Sequence, residues 1–310
     1  MTQVINLLDP ISDNRNEDMT EAVFYALQKC RAGKSSILNI PKETYHFYPD
    51  RAFEKFYFMS NNDPGLKSVG FPIIDLDNLV IDANGSEFIF HGRMTPFILD
   101  GVRNITVKNL SIDFDRPFFS QGEIVDSGPN FKDIRICHNQ YPYRIEGDEI
   151  KFFSGLWESE RIMLFLEVEP GSGMPAYHTG DEYIHNQVIR VEELGHDIIR
   201  FKGSFLKTHT KGNVMIIKHE PRLNPAIFIT NSTDVTFENV TVYQASGMAF
   251  IAEMSHNIVI RKSRVVAKET EGRLAATNAD ATHFVNCTGD ILHGKIMNIH
   301  PTGKSLLRFY

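Results

Sequence analysis

Asn104-Ile105-Thr106-Val107-Lys108-Asn109-Leu110 is the stretch on which the fold turns: a turn residue, then apolar positions separated by polar ones, then a second Asn before the next apolar residue. The same phrase opens at Asn78-Leu79-Val80-Ile81, at Asp234-Val235-Thr236-Phe237-Glu238-Asn239-Val240, at Asn257-Ile258-Val259-Ile260 and, less cleanly, at Asp290-Ile291. The first two copies start 26 residues apart and the next two 23 apart, a period that belongs to stacked coils and not to one closed sheet. Each copy reads as a short strand with alternating faces, entered through Asn or Asp, which tolerate left-handed backbone and bond their neighbours. The pattern predicts a parallel β-helix, all-β; an ordinary β-sandwich is the alternative, and it would pair the Ile105 and Val235 segments antiparallel.

Outward from the repeat, Thr20 to Ala32 predicts an amphipathic helix with Ala22, Val23, Ala26, Leu27 and Cys30 on one face, acidic Glu17, Asp18 and Glu21 near its start, and Gly33 past its end. Two short strands follow around Pro41, within Ser36 to Phe47. A helix in this place resembles the cap of pectin-lyase-like β-helix proteins, and a cap has a physical task, since a bare first coil exposes strand edges and apolar interior. The repeat phrase stops near Phe119 and resumes at Pro225-Ala226-Ile227-Phe228-Ile229. Between them, Ile150 to Phe153, Arg161 to Val168, Val188 to Val191, Ile198 to Phe201 and Val214 to Lys218 are β-like runs split by Gly, Pro and Asp turns. The expected organisation is a cap and first coils over 1–120, an inserted β-barrel or sandwich module over 121–221, resumed coils over 222–298 and an irregular tail over 299–310.

The chain has 310 residues, 42% of them hydrophobic and 23% charged, and a formal charge of −7. With no concentrated Lys/Arg run, it lacks the basic footprint that nucleic acid or an anionic membrane requires. Cys30, Cys137 and Cys287 are odd in number and lack C-x-x-C spacing, so they read as buried or incidental thiols. Met1 to Pro10 has neither a basic nor an apolar signal region, and no run approaches the roughly 20 apolar residues of a membrane span. As written, the chain is expected to be cytoplasmic. His178, His185, His209 and His219 have no metal-binding spacing, and Gly171-Ser172-Gly173 lacks the Lys-Ser/Thr of a phosphate loop; neither a metal nor a cofactor is expected.

Chemistry is most legible in Thr277-Asn278-Ala279-Asp280-Ala281-Thr282-His283-Phe284. Small residues around Asp280 leave room for a bulky ligand, and His283 is placed to donate to a sugar hydroxyl. On spacing alone, Asp280 also reads as a turn residue bonding backbone amides.

Phe56-Tyr57-Phe58-Met59-Ser60-Asn61-Asn62, Gly85-Ser86-Glu87-Phe88-Ile89-Phe90-His91-Gly92-Arg93-Met94, Leu110-Ser111-Ile112-Asp113-Phe114, Gly247-Met248 and, above all, Ala279-Asp280-Ala281-Thr282-His283-Phe284 resemble glycoside hydrolase family 110, bacterial α-1,3-galactosidases. The likeness runs in order from about Phe56 to Ile291. It implies a right-handed β-helix with inserted barrels, exo-action on glycans with terminal α-linked galactose, and hydrolysis with inversion. Inversion requires an acid and a water-activating carboxylate roughly 6.5–9.5 Å apart. By resemblance Asp280 is catalytic, on the water-activating side. Arg222 matches an Arg at the re-entry to the helix and would clamp galactose. Glu253 stands on the strand after Gly247-Met248, in the place of an amide residue in the family, and Asp113 points into the groove or seals a turn; both are candidate substrate contacts.

The family's pattern also places an Asp-Asp pair on the coil after Asp280. Aligned without gaps, those positions hold Gly303 and Lys304, so this chain is expected to be a C-terminally truncated relative that hydrolyses terminal α-1,3-galactosides poorly and self-associates through an open solenoid end. The alternatives are a non-catalytic sugar-binding β-helix and a β-helical polysaccharide lyase, although no acidic cluster or paired Lys/Arg of the lyase kind stands out.

Overall fold

The computed structural model describes residues 2–8, 18–184 and 189–293. The positions of the expected Asp-Asp pair, the tail and His185 lie outside the described residues. The fold is mostly β, with one α-helix among the described residues, Thr20–Arg31. Its buried face is the predicted one, Ala22, Val23, Ala26, Leu27 and Cys30. Asp18 anchors its start, its carboxylate accepting from the Thr20 amide at 2.9 Å, and Arg31 near its end donates to the Ile74 carbonyl at 2.6 Å, joining helix to strand.

Two sheets share one core. The first runs Gln3–Asn6, Ser36–Asn39, Asp77–Phe90, Arg103–Phe114, Thr233–Val242, His256–Arg261, Thr288–His293, with Thr44–Phe47 and Arg264–Val265 alongside. The second runs Phe53–Tyr57, Gly65–Ile74, Met94–Asp100, Ile227–Thr230, Phe250–Glu253, Thr282–Val285. All pairings are parallel except that of the edge strand Phe53–Tyr57 with Gly65–Ile74. Val235 lies beside Ile105 in parallel register, the reverse of what a sandwich demands. The Gln3–Asn6 strand is absent from the sequence reading because its four residues carry no repeat phrase.

Repetition of sequence becomes repetition of place. Leu79, Ile105, Val235 and Ile258 are register partners along the first sheet, as are Ile81, Val107, Phe237 and Ile260. All eight are essentially inaccessible to solvent. Aromatic rings continue the stack, with Phe71 on Phe97 at 4.4 Å and Phe47 on Phe90 at 4.8 Å. Each buried aliphatic or aromatic side chain contributes about 1.5–3 kcal/mol.

The corners between sheets explain the turn phrase. Asn78, Asn104, Asp234 and Asn257 all have φ between 54° and 56°, and Gly289 occupies the same place on the last described coil with φ 73°. Their side chains form a ladder: Asn104 donates to Asn78 and Asn257 to Asp234, each at 2.8 Å. A second ladder runs from Asn239 to Asn109 to Asp82 at 2.9 and 2.8 Å. Inside the corner, Ser232 and Ser255 donate to the carbonyls two residues back and accept backbone amides from the neighbouring coil. Cys287 takes the same position, its thiol against the Val285 carbonyl, which gives this cysteine a structural place.

Where the phrase is interrupted, a separate antiparallel sheet stands. Its order is Glu182–Tyr183, Leu164–Val168, Val214–Lys218, Phe119–Gly128, Phe131–Arg135, Ile198–Lys202, Arg190–Gly195. It has its own apolar cluster around Phe165, Phe201 and Ile216. Under that sheet Lys132, Glu167, Glu182 and His209 are buried together. Burial alone raises the Glu182 carboxyl, but the His209 hydrogen bond and the Lys132 charge outweigh it and hold it down at about 2.

Asn104 tests the corner. Asn104→Ala is expected to lower stability by about 2–3 kcal/mol, combining the left-handed penalty with a lost hydrogen bond; Asn104→Gly, which keeps the backbone freedom, by about 1 kcal/mol. Urea unfolding measures both, and equal losses would mean that the backbone conformation is irrelevant there.

Candidate functional site

Alternation along the second sheet assigns the site its face. Phe250 and Ala252 point into the core, as does the half-buried Phe284 of the next coil, so Ile251, Glu253 and His283 project outward. Most of this outer face is apolar: Ile98, Phe228 and Ile251 pack under Tyr57 and Met59. Tyr57 ends the edge strand, and from there the chain crosses the outer face as a strap.

At Ser60 the strap meets the polar end of that face. The Ser60 amide donates to the Glu253 carboxylate at 3.1 Å, and its hydroxyl lies 3.3 Å from His283 Nε2. Asp63 then donates its amide to the Arg222 carbonyl at 2.9 Å. Asn62, between them, is buried with neither side-chain amide atom bonded to a partner among the described residues. It fits because residue 247 is Gly: a Cβ there would come within 2.2 Å of the Asn62 oxygen. The strap therefore touches three of the residues singled out from the sequence.

Asp280 is half-buried, just before the Thr282–Val285 strand. Its carbonyl accepts the Ala249 amide at 3.1 Å, while its carboxylate has no hydrogen-bond or ion-pair partner among the described residues. That is not the geometry of a turn aspartate bonding amides. Arg222, also half-buried, leaves its guanidinium without such a partner among the described residues, although its charge acts on His283, Lys218 and Tyr183. His283 is lowered by burial first, with Asp280 opposing and Arg222 reinforcing, which keeps the ring neutral at pH 7. Burial raises the Glu253 carboxyl, and the Ser60 amide only partly offsets this.

The inserted sheet brings in groups that the sequence reading missed. Lys218, at the end of the Val214–Lys218 strand, is 6% exposed and donates to the Asn278 carbonyl at 3.0 Å. Burial pushes its ammonium down to about 8, against the pull of Asp181 and Asp280 and with the push of Arg222. Asp181 accepts from the Tyr183 hydroxyl at 3.3 Å, and its other oxygen is buried without a partner among the described residues. A signal existed in the sequence: the apolar run ends in Lys218-His219-Glu220, three ionisable residues where a turn would be ordinary.

Asp113 belongs elsewhere, and its expected role as a substrate contact is corrected. Its carboxylate is buried between Arg273 at 2.6 Å and Lys268 at 3.0 Å and also accepts the Phe114 amide, so it fastens the segment after residue 265 to the first sheet. Glu220 is likewise structural, accepting from Arg93 Nε and Nη2 at 3.1 and 3.0 Å. His219 stacks on Phe152 at 4.6 Å and is held far below the ordinary imidazole range by burial.

The arrangement is a polar cluster of a carboxylate, a guanidinium, a neutral imidazole and a buried carboxyl beside an aromatic strap, suited to a polyhydroxylated ligand. Comparison with known proteins agrees with that class. The family model described as GLAA-B beta-barrel domain I matches residues 120–215, the inserted sheet. Alpha-1,3-galactosidase A of Shewanella woodyi is 31% identical over 281 residues, covering 90% of this chain and 46% of that protein. Alpha-1,3-galactosidase B of Parabacteroides distasonis is 34% identical over 97% of this chain and 51% of its own length. The namesake B enzyme of Bacteroides thetaiotaomicron is 31% identical over 85% of this chain and 43% of its own length. Over most of its length the chain is similar to these α-1,3-galactosidases, which, with the barrel match, is consistent with a family of the glycoside hydrolase 110 type. It spans about half the length of the curated relatives it matches.

A raised carboxyl binds its proton more tightly in the folded chain than in the unfolded one, so the stability it supports is full at low pH and is lost as pH rises through the folded value. Glu253→Gln, which keeps an acceptor for Ser60, is therefore expected to gain on the native chain as pH increases from 4 to 8. Thermal unfolding across that range measures it; a mutant-minus-native stability difference that falls as pH rises would contradict the burial of an ionising Glu253.

Proposed function

We propose that this chain carries the galactose site of an exo-acting, inverting α-1,3-galactosidase, with Asp280 activating water and Arg222 and His283 holding sugar hydroxyls. The observation that carries the reading is the pair of uncompensated charges, Asp280 and Arg222, half-buried in one cluster and unpaired with any described residue. A protein ordinarily pairs such groups when they are partly desolvated, and leaving them unpaired suits a ligand that satisfies them. Within the described residues, Glu253 is the carboxyl near this cluster fitted to hold a proton, since burial raises it. A neutral His283 can donate to or accept from a sugar hydroxyl without bringing a charge. The names borne by the relatives support the choice of an α-1,3-linked galactose as substrate.

The same proposal takes the stacked coils as a right-handed parallel β-helix, with cap and first coils over 1–120, the inserted barrel over 121–221 and resumed coils over 222–298. Parallel pairing at a 23–26 residue offset supports it. The insert then has a role in the site, because its last strand delivers Lys218 and leads directly to Arg222.

Calorimetry with α-1,3-galactobiose tests the binding part: Arg222→Ala is expected to weaken it by about tenfold or more, the loss of a charge-assisted contact. Proton NMR tests the chemistry: any galactose released is expected to appear first as the β-anomer, and Asp280→Asn is expected to cut the rate by roughly 10²-fold or more. Binding indifferent to Arg222, or turnover indifferent to Asp280, would overturn the assignment.

A further inference from the structure

The inserted sheet carries a cleft of about 480 Å³, within the roughly 300–1,000 Å³ range of small-molecule sites. One wall is the loop from Glu169 to Thr179, the other the segment Lys207 to Asn213, and Glu167 lies beneath. Lys207 reaches between the walls, its ammonium 3.3 Å from the Gly180 carbonyl.

The second wall is held by the buried charges. Glu182 accepts the Leu206 and Lys207 amides at 3.0 and 3.3 Å, and Glu167 accepts the Thr210 amide and the Asn213 side chain at 3.0 and 2.6 Å. His209 lies between the two carboxylates at 2.7 and 3.1 Å, while Lys132 pairs with Glu182 at 3.0 Å and donates to the Lys207 carbonyl at 2.9 Å. Each nitrogen of the His209 ring thus faces a carboxylate, and Lys132 sets a cation beside Glu182. Such a buried network adds little stability over an apolar core of equal volume. What it does is hold the segment Leu206 to Asn213 in place through its backbone and side-chain hydrogen bonds, and that segment forms one side of the cleft.

Opposite this rigid wall, Tyr177 is 85% exposed, its ring 3.9 Å from that of His178, which sits at φ 60°. An exposed aromatic face beside fixed polar groups suits a ligand with both C–H faces and hydroxyls. The accessible charges, Glu169 and Lys207, are of opposite sign, which favours a neutral ligand over an ion.

We propose that this cleft binds a short neutral oligosaccharide, as a second saccharide site separate from Asp280, with Tyr177 as its platform and Lys207, Thr208 and Asn213 as polar contacts. The ligand class rests on the glycoside hydrolase reading; the existence of the site rests on the cleft and its fixed wall.

Calorimetry of the whole chain with α-1,3-galactobiose and with lactose distinguishes the two sites. Two binding events are expected for at least one probe, with Tyr177→Ala weakening one by about tenfold and Arg222→Ala weakening only the other. Tyr177 is exposed, so its removal leaves folding intact, and Lys207→Ala provides an independent second variant. One event lost with Arg222→Ala and unchanged in both cleft variants overturns the cleft and leaves the Asp280 site standing. One event lost with Tyr177→Ala and indifferent to Arg222→Ala supports the cleft and overturns the proposed galactose site. No binding of either probe at millimolar concentration overturns the cleft.

Discussion

A backbone corner in the left-handed region, repeated in register, is the constraint on which everything else depends. Such a conformation costs most side chains about 1–2 kcal/mol, and the chain places Asn, Asp or Gly at it on five neighbouring strands of the first sheet. Once the corner is fixed, the strand after it must start on the same phase, and its apolar positions stack on those of the neighbouring parallel strand. The Asn side chains then bond one corner to the next, so each strand sets the register of its neighbour. A one-residue slip would turn Val235 and Phe237 to solvent and break the ladder at the same time.

The candidate site arises from the other side of the same alternation. Strands that fill the core with Phe250 and Phe284 must present Ile251, Glu253 and His283 outward. Most of that outer face is closed by the strap through Met59, and where the strap ends at Ser60 the polar groups remain. Charges used for structure are paired: Asp113 with Arg273 and Lys268, Glu220 with Arg93. Charges at the site differ in kind, since Asp280 and Arg222 each lack a hydrogen-bonded counterpart among the described residues. This contrast, within one molecule, sets the Asp280 cluster apart from the paired ionic groups.

The inserted sheet is more than an appendage to the coils. Its final strand places Lys218 against the Asn278 carbonyl, so the segment carrying Asp280 is fastened to the insert as well as to its own coil. The Asp181–Tyr183 edge comes from the same sheet and brings near that lysine a buried oxygen without a partner among the described residues. Positioning by two independently packed bodies suits a site whose groups must stay apart despite their attraction.

By itself, the sequence determined the all-β class, the inward apolar positions of the repeat phrase, its turn residues and the helix Thr20–Arg31 with its buried face, because each is a local matter of periodicity and turn chemistry. Asp280, His283, Arg222 and Glu253 were legible as candidates through small-residue context and resemblance. The sequence did not reveal that Asp113 is locked between two cations, since Arg273 and Lys268 reach it from more than 150 residues away. Nor did it show Ser60 joining Glu253 to His283 or Lys218 beneath the Asp280 segment, contacts that span 193 and 60 residues. Tertiary structure alone decided these, because whether a polar side chain is paired, buried or left open depends on what the fold brings opposite it, and periodicity within a strand fixes only which way it points.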